Sequence, residues 1–276
     1  MSVIHAALLG LIQGIAEFLP ISSSGHIQLY EKLFNVGVDP NALMLVTVLL
    51  HVGTLLAVLV IFWKDWLDIL KNPFRSKTLL LLIVASLPAL AAKVLLGDLF
   101  DQLNAGGLLG AFFIVSGILL CLAERFSIVG RHADKAEPDV TLKNALVMGG
   151  MQAVGMFTGI SRSGSTIFGG VTSGLRRYTA AKFSFMMSAP AILGGLIVEG
   201  KDAIEAGAMQ YLSANIVPVV IGMVVAAVCG YLAIRFMLKL INKISFYWFA
   251  LYLFLLGVVV MILQVSGTTG LPPIGV

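Results

Sequence analysis

The chain has 276 residues, of which 59% are apolar and only 12% charged, and its mean hydropathy is +0.99. A soluble globule of this length carries about a quarter charged residues, so cytosolic enzymes, secreted disulfide scaffolds, disordered proteins and nucleic-acid binders are poor readings, and an integral membrane protein is expected. The formal net charge of +4 is not a nucleic-acid footprint, because the positive excess sorts by loop, as an orientation signal does. Cys121 and Cys229 lie inside apolar runs without CxxC or Cys/His spacing and read as small buried hydrophobes.

In chain order, an apolar stretch over 3–19 runs into the polar turn Ile21-Ser22-Ser23-Ser24-Gly25-His26. It lacks the charged start of a signal peptide and is expected to stay in the mature chain. Three apolar runs long enough to span a bilayer follow, at 42–63, 78–97 and 106–123. A second interrupted stretch, 142–157, leads into Ile160-Ser161-Arg162-Ser163-Gly164-Ser165-Thr166, and three more spans follow at 179–198, 214–234 and 246–263. Irregular polar backbone at membrane depth is tolerated only where protein or a water-filled cavity covers it, so both interrupted stretches read as re-entrant helix-loop-helix hairpins. The expected fold is an all-α polytopic membrane protein with six transmembrane helices and two re-entrant hairpins, forming a single membrane domain over 1–276.

Fourteen of the eighteen Lys and Arg residues fall in alternate loops: Lys64, Lys71, Arg75 and Lys77; Arg125, Arg131, Lys135 and Lys143; Arg176, Arg177 and Lys182; Arg235, Lys239 and Lys243. These loops are predicted inside, with both termini on the outer, periplasmic side of the bacterial inner membrane. Lys93 reads as a snorkelling residue near a span end. Arg162 has no such escape.

Sliding the sequence by 139 residues aligns Gly10, Gln13, Phe18, Ile21, Ser22, Ser24 and Gly25 with Gly149, Gln152, Phe157, Ile160, Ser161, Ser163 and Gly164. The chain therefore reads as two related halves, about 1–124 and 140–264, joined by a charged cytoplasmic loop over 124–140. Each half holds one hairpin and three spans. Since three is odd, the second half enters upside down, and the polar tips meet near the midplane in an inverted-topology repeat. Close helix packing explains many of the 29 glycines, but it does not explain costly ionisable groups such as Glu17, His26 and Arg162 brought together by the repeat.

The meeting tips would hold Gln13, Glu17, Ser22, Ser23, Ser24 and His26 opposite Ser161, Arg162, Ser163, Gly164, Ser165 and Thr166. An Arg fork matches phosphate oxygens, and Gly/Ser turns entering a helix add backbone and hydroxyl donors, so two such turns suit a pyrophosphate. His26 can transfer protons near neutral pH, and Glu17 can act as a base, orient His26 or bind a divalent cation. His51, within the first span, reads as a packing residue or a secondary contact with the site. Ser86, Ser116 and Ser188 read as hydroxyls bonded back along their helix or across to a neighbour.

Gln13-Gly14-Ile15-Ala16-Glu17-Phe18-Leu19-Pro20 with Ser22-Ser23-Ser24-Gly25-His26, and then Gly159-Ile160-Ser161-Arg162-Ser163-Gly164, resemble the signatures of the bacterial undecaprenyl-pyrophosphate phosphatase family, the bacitracin-resistance type. The likeness extends along essentially the whole chain. Thr158 departs from it, standing where the family usually has proline, and Gln13 occupies the first acidic position, leaving Glu17 as the carboxylate there. The resemblance implies hydrolysis of undecaprenyl pyrophosphate to the monophosphate on the outer face, recycling the lipid carrier for peptidoglycan and envelope glycans, with Mg²⁺ or Ca²⁺ dependence and a homodimer. Carried over by position, Glu17 and His26 look like the acid/base or metal-assisting pair, with Glu17 the metal ligand. Ser23 is the candidate nucleophile, and Arg162 with Ser161, Ser163 and Thr166 looks like the pyrophosphate clamp. Whether Ser23 or a water attacks is open in the sequence. The rival reading is a transporter or flippase of polyprenyl phosphate, since broken helices in inverted repeats are common transporter construction; the Ser, His and Glu cluster favours an enzyme, because transport needs no nucleophile.

Overall fold

Twelve α-helices and one short 3₁₀ turn make up the secondary structure of the described residues, and no strand occurs among them. The structure, a computed structural model, describes residues 1–34, 36–129, 139–267 and 270–274, with residues 128 and 129 described by backbone alone. Most of the charged connection expected at 124–140 therefore lies outside the described residues, including Arg131 and Lys135.

All six spans expected from hydropathy are helices long and apolar enough to cross a membrane. They are α3 (Pro40–Ile61), α5 (Lys77–Leu103), α6 (Leu109–Val129), α9 (Arg177–Glu205), α11 (Ile216–Leu240) and α12 (Phe246–Ser266). Most run beyond the apolar windows; in α5 the polar end Asp98-Leu99-Phe100-Asp101-Gln102 follows a kink at Leu96, whose backbone is non-helical, and extends toward interfacial surroundings. Three of the starts are set by side-chain caps: Asp39 accepts from the Asn41 and Ala42 amides ahead of Pro40, and Ser76 and Ser245 cap α5 and α12. A short helix, α4 (Trp63–Lys71), follows α3, and α10 (Ala208–Ala214) links α9 to α11.

The two interrupted stretches are each broken where the Gly/Ser turns fall. The first forms α1 (Val3–Phe18) and α2 (Ser23–Phe34), the second α7 (Leu142–Val154) and α8 (Arg162–Thr172). At 1.5 Å per residue, the sixteen residues of α1 reach about 24 Å, short of the roughly 30 Å hydrocarbon core. The main packing partners are α1 with α11, α7 with α5, α3 with both α9 and α11, and α6 with α12.

Close backbone approach sets two of these contacts. A Cβ at Gly10 of α1 would collide with the Gly222 carbonyl of α11, and one at Gly149 of α7 with the Ala85 carbonyl of α5. These are the aligned glycines of the repeat, and each admits a neighbouring helix at backbone distance. Gly150, the next residue along, is exposed and a Cβ there meets nothing within 4 Å. Substituting Gly149→Ala is expected to lower the melting temperature in detergent by an amount matching about 1–3 kcal/mol of overpacking, whereas Gly150→Ala should raise it slightly through helix propensity. Equal effects from the two adjacent substitutions would contradict this packing.

Candidate active site

The ends of the broken helices place their polar residues against one another. Gln13 and Glu17 lie one turn apart on α1, and the Gln13 amide Nε2 donates to Glu17 Oε2 at 3.1 Å. The same oxygen accepts from Ser23 Oγ at 2.5 Å, and Glu17 Oε1 is paired with Arg162 Nη2 from the start of α8. Glu17 is 6% exposed, so its carboxylate is satisfied by three protein donors rather than by water. His51 Nε2 of α3 lies 3.7 Å from Glu17 Oε2, while its Nδ1 bonds the Thr47 carbonyl at 2.8 Å.

The first turn is held by strained backbone. Ser22 has φ +71°, the only left-handed non-glycine residue among those described. Its carbonyl accepts from the His26 amide at 3.3 Å and from His26 Nδ1 at 2.7 Å, and its hydroxyl accepts from the Gly25 amide at 3.3 Å. With Nδ1–H donating, His26 Nε2 carries the lone pair and accepts from Tyr252 OH at 2.6 Å; the imidazole stacks on the Tyr252 ring and meets the edge of Phe113. His26 bonds neither Ser23 nor Glu17, with which the resemblance pairs it as acid/base. Ser23 has Glu17 for a partner, and His26 fixes the backbone residue that precedes Ser23.

The second turn is splinted from α6 and the end of α5. Ser161 caps α8, its hydroxyl accepting from the Gly164 amide at 3.1 Å, and its own amide donates to Ser116 Oγ at 3.0 Å. Asn104 accepts from the Thr158 amide at 2.7 Å and donates to the Met156 carbonyl at 3.3 Å. A proline at 158 would lack that N–H, so Thr158 and Asn104 together restrain the turn by a hydrogen bond where a ring would restrain it covalently. The two turns also pack reciprocally: Gly25 faces the Gly159 Cα and Gly164 faces the Pro20 ring. Gly159, at φ +108°, needs the freedom of glycine.

A cavity of about 550 Å³ opens beside this cluster. Glu17, Ser22, Ser23, Ser24, Ser161 and Arg162 line it, and so do His51 and Asn104. Apolar residues of α5 and α9, among them Ala89, Leu90, Ala191 and Ile192, form another part of the wall, and Gln152, Lys93 and Glu199 line it too. Polar and apolar groups share the wall, as a site for an amphiphile requires. Four expected ligands face elsewhere. Ser163 donates to the Leu19 carbonyl at 3.2 Å, Ser165 to the Ser161 carbonyl at 2.8 Å and Thr166 to the Arg162 carbonyl at 2.8 Å, with Ser184 Oγ 2.6 Å away. Gly164 packs on Pro20. These residues build the helix start that carries Arg162. His26 and Gln13 are likewise absent from the cavity wall. Lys93 pairs with Asp101 at 3.4 Å and also lines the cavity. Of the other serines, Ser86 bonds the Leu82 carbonyl at 2.8 Å and Ser188 the Phe185 carbonyl at 2.6 Å.

The donor set does not suit a resident divalent cation. No group of three or more His, Cys, Asp or Glu residues able to hold a metal occurs among the described residues. Glu17, the one carboxylate at the turns, has its Oε1 on Arg162 and its Oε2 under Ser23 and Gln13, whereas Mg²⁺ and Ca²⁺ need several free oxygen ligands.

The family model of bacitracin resistance protein BacA matches residues 6–259. The chain is also 40% identical over 265 residues to undecaprenyl-diphosphatase 3 of Bacillus cereus, spanning 96% of this chain and 98% of the relative. It is 38% identical to undecaprenyl-diphosphatase of Carboxydothermus hydrogenoformans over 97% of this chain and 99% of that one. A third relative, undecaprenyl-diphosphatase of Halothermothrix orenii, is 38% identical over 95% and 98%. The fold and site thus define a multi-pass helical membrane protein with a polar cluster beside a cavity. The chain belongs to the bacitracin resistance protein BacA family.

One consequence is measurable without substrate. Titrating the purified protein with Mg²⁺ or Ca²⁺ by calorimetry is expected to show no stoichiometric binding tighter than about 1 mM, while Gln13→Glu, placing two carboxylates one turn apart, should strengthen it. Tight binding by the natural chain that Glu17→Gln abolishes would refute the donor-set argument.

Proposed function

We propose that this protein hydrolyses undecaprenyl pyrophosphate to undecaprenyl phosphate and inorganic phosphate, regenerating the lipid carrier used in peptidoglycan and envelope glycan synthesis and thereby conferring bacitracin resistance. Family membership and the names of the relatives support the reaction. The observation that carries it in the structure is the contact of Ser23 Oγ with Glu17 Oε2 at the cavity wall.

In this reading the pyrophosphate enters the cavity beside Arg162 and the prenyl chain lies along its apolar residues and the lipid beyond. Arg162 spends Nη2 on Glu17 and turns its remaining N–H groups to the phosphate oxygens, joined by the hydroxyls of Ser22, Ser24 and Ser161. Ser23 Oγ attacks the terminal phosphorus as its proton passes to Glu17 Oε2; the bond from that phosphorus to the bridging oxygen breaks, the leaving undecaprenyl phosphate takes that proton from Glu17, and the carboxylate is free again as base for the second step. Water then attacks the seryl phosphate, Glu17 taking its proton, and the phosphate departs as Ser23 is reprotonated. His26 acts through the Ser22 carbonyl, keeping the left-handed turn that presents Ser23. Mg²⁺ or Ca²⁺, implied by the resemblance, has no protein-built cage here and enters none of these steps.

The broken helices are assigned as re-entrant hairpins in an inverted-topology repeat, with halves over 1–124 and 140–264 of a single membrane domain. The short reach of α1, the matching roles of Gly10 and Gly149 and the paired contacts of α1 with α11 and α7 with α5 support this assignment. The loop charges support periplasmic termini and an outward-facing site; the family resemblance adds a homodimer. A pure transporter of polyprenyl phosphate would have no use for a serine held on a buried carboxylate.

Purified protein is expected to release phosphate from undecaprenyl pyrophosphate, and Arg162→Ala, Glu17→Gln and Ser23→Ala, shown to remain folded, to lose at least about a hundredfold. A folded natural chain that releases none, with or without added Mg²⁺ or Ca²⁺, would overturn the assignment.

A further inference from the structure

Gln152 of α7 is the repeat counterpart of Gln13, yet the two amides meet different surroundings. On α1 the pattern is Gln13-x-x-x-Glu17, and the Gln13 Nε2 donates to the carboxylate one turn on. On the second half the corresponding residue is Met156, so the pattern becomes Gln152-x-x-x-Met156 and no carboxylate is supplied. Gln152 is 3% exposed, its Oε1 is buried without a hydrogen-bond partner, and its side chain lines the same cavity as Arg162 and Ser161.

A buried amide left unsatisfied costs about as much as losing the hydrogen bonds it made in water, so such a group calls for an occupant. Apolar packing would fill the position at lower cost. Helix propensity does not explain it either, since Met or Leu serve α7 as well as Gln. The Gln13 Oε1 is likewise buried without a partner, so the two amides differ in the N–H: the Glu17 carboxylate takes the Gln13 Nε2 bond, and no acceptor among the described residues takes that of Gln152. The cavity that Gln152 faces also holds a guanidinium and the Ser161 hydroxyl, the donors an oxyanion needs.

We propose that Gln152 is a substrate-binding residue whose amide donates to an oxygen of the pyrophosphate, the phosphate oxyanion standing to Gln152 as the Glu17 carboxylate stands to Gln13. The amide turns so that Nε2 faces the ligand, a rotation that breaks no side-chain bond seen among the described residues. This rests on the phosphatase reading for the identity of the ligand, but the contact is to a phosphate oxygen and is testable without turnover.

Two substitutions separate ligand binding from a structural role. Gln152→Met removes the donor while filling the same volume, and Gln152→Glu keeps size and polarity but sets a negative charge against the anion. Gln152→Met should melt at or above the temperature of the natural protein, because it removes an unsatisfied buried amide, and should raise KM for undecaprenyl pyrophosphate about tenfold to a hundredfold, the range for a hydrogen bond to a charged group. Gln152→Glu should raise KM further. A KM within twofold of the natural value in both variants, or a lower melting temperature for Gln152→Met, overturns the proposal. Should the natural protein prove to have no phosphatase activity, calorimetry with inorganic pyrophosphate reads the same contact. Weaker binding by the same factor in Gln152→Met then sustains the Gln152 assignment while the phosphatase reading falls, and unchanged binding refutes it.

Discussion

The ion pair of Glu17 with Arg162 is the constraint on which the rest of the site depends. It joins side chains 145 positions apart in sequence, from α1 of the first broken helix and from the start of α8, after the break in the second. A carboxylate buried to 6% exposure cannot remain ionised in apolar surroundings without a partner, and removing one member of such a pair is costly because the other stays behind. Arg162 is less enclosed, its side chain about a fifth exposed toward the cavity. The pair therefore serves two ends. It holds the two turns together, and in the proposed reaction it keeps Glu17 ionised beneath Ser23, the condition for taking a proton from that hydroxyl.

A second buried arginine shows what a structural pair looks like in the same molecule. Arg177, at the start of α9, pairs with Glu124 at 2.6 Å, donates from Nε and Nη2 to Ser127 Oγ and from Nη1 to the Ile244 carbonyl, and lies over the Phe246 ring. Glu124 in turn accepts from the Phe246 amide at 2.7 Å. The guanidinium is spent on protein acceptors and 8% of its side chain is exposed, so the cluster ties α6, α9 and the turn into α12. Among the described residues the Arg162 guanidinium has a single partner, Glu17, and it faces a cavity. The difference lies in unspent donors, not in burial alone, and those donors are the ones that the proposed function assigns to the phosphate.

Much of the fold was legible because apolar length and polar interruption are strong signals in a membrane chain. Six long runs became six helices, and the helix breaks fall just ahead of the two Gly/Ser stretches, whose residues from Ser23 and from Arg162 begin the next helices, since irregular backbone at those points must be covered by protein. Side-chain direction was not legible. The run Ser163, Ser165, Thr166 looked like a phosphate cradle, but hydroxyls within the first turns of a helix find backbone carbonyls three or four residues back, and these three are consumed by local bonds or by the facing turn. The partners of His26 were not legible either: its ring bonds the Ser22 carbonyl one turn back and Tyr252 of a span 226 positions away, a contact that depends on α12 packing beside the first turn. Asn104 carried no motif at all; its role depends on the end of α5 meeting the second turn. His51, whose role the sequence left between packing and a secondary contact, lies beside Glu17 because α3 packs close to α1.

If Glu17 and Arg162 act as one unit, their contributions to catalysis cannot be independent. The most direct measurement is a double-mutant cycle on phosphate release, comparing Glu17→Gln, Arg162→Ala and the double substitution in protein verified as folded. The double variant is expected to be no slower than the slower single variant to within a few-fold, because breaking either side already dissolves the unit. Losses that multiply, each substitution acting as though the other residue were untouched, would contradict it.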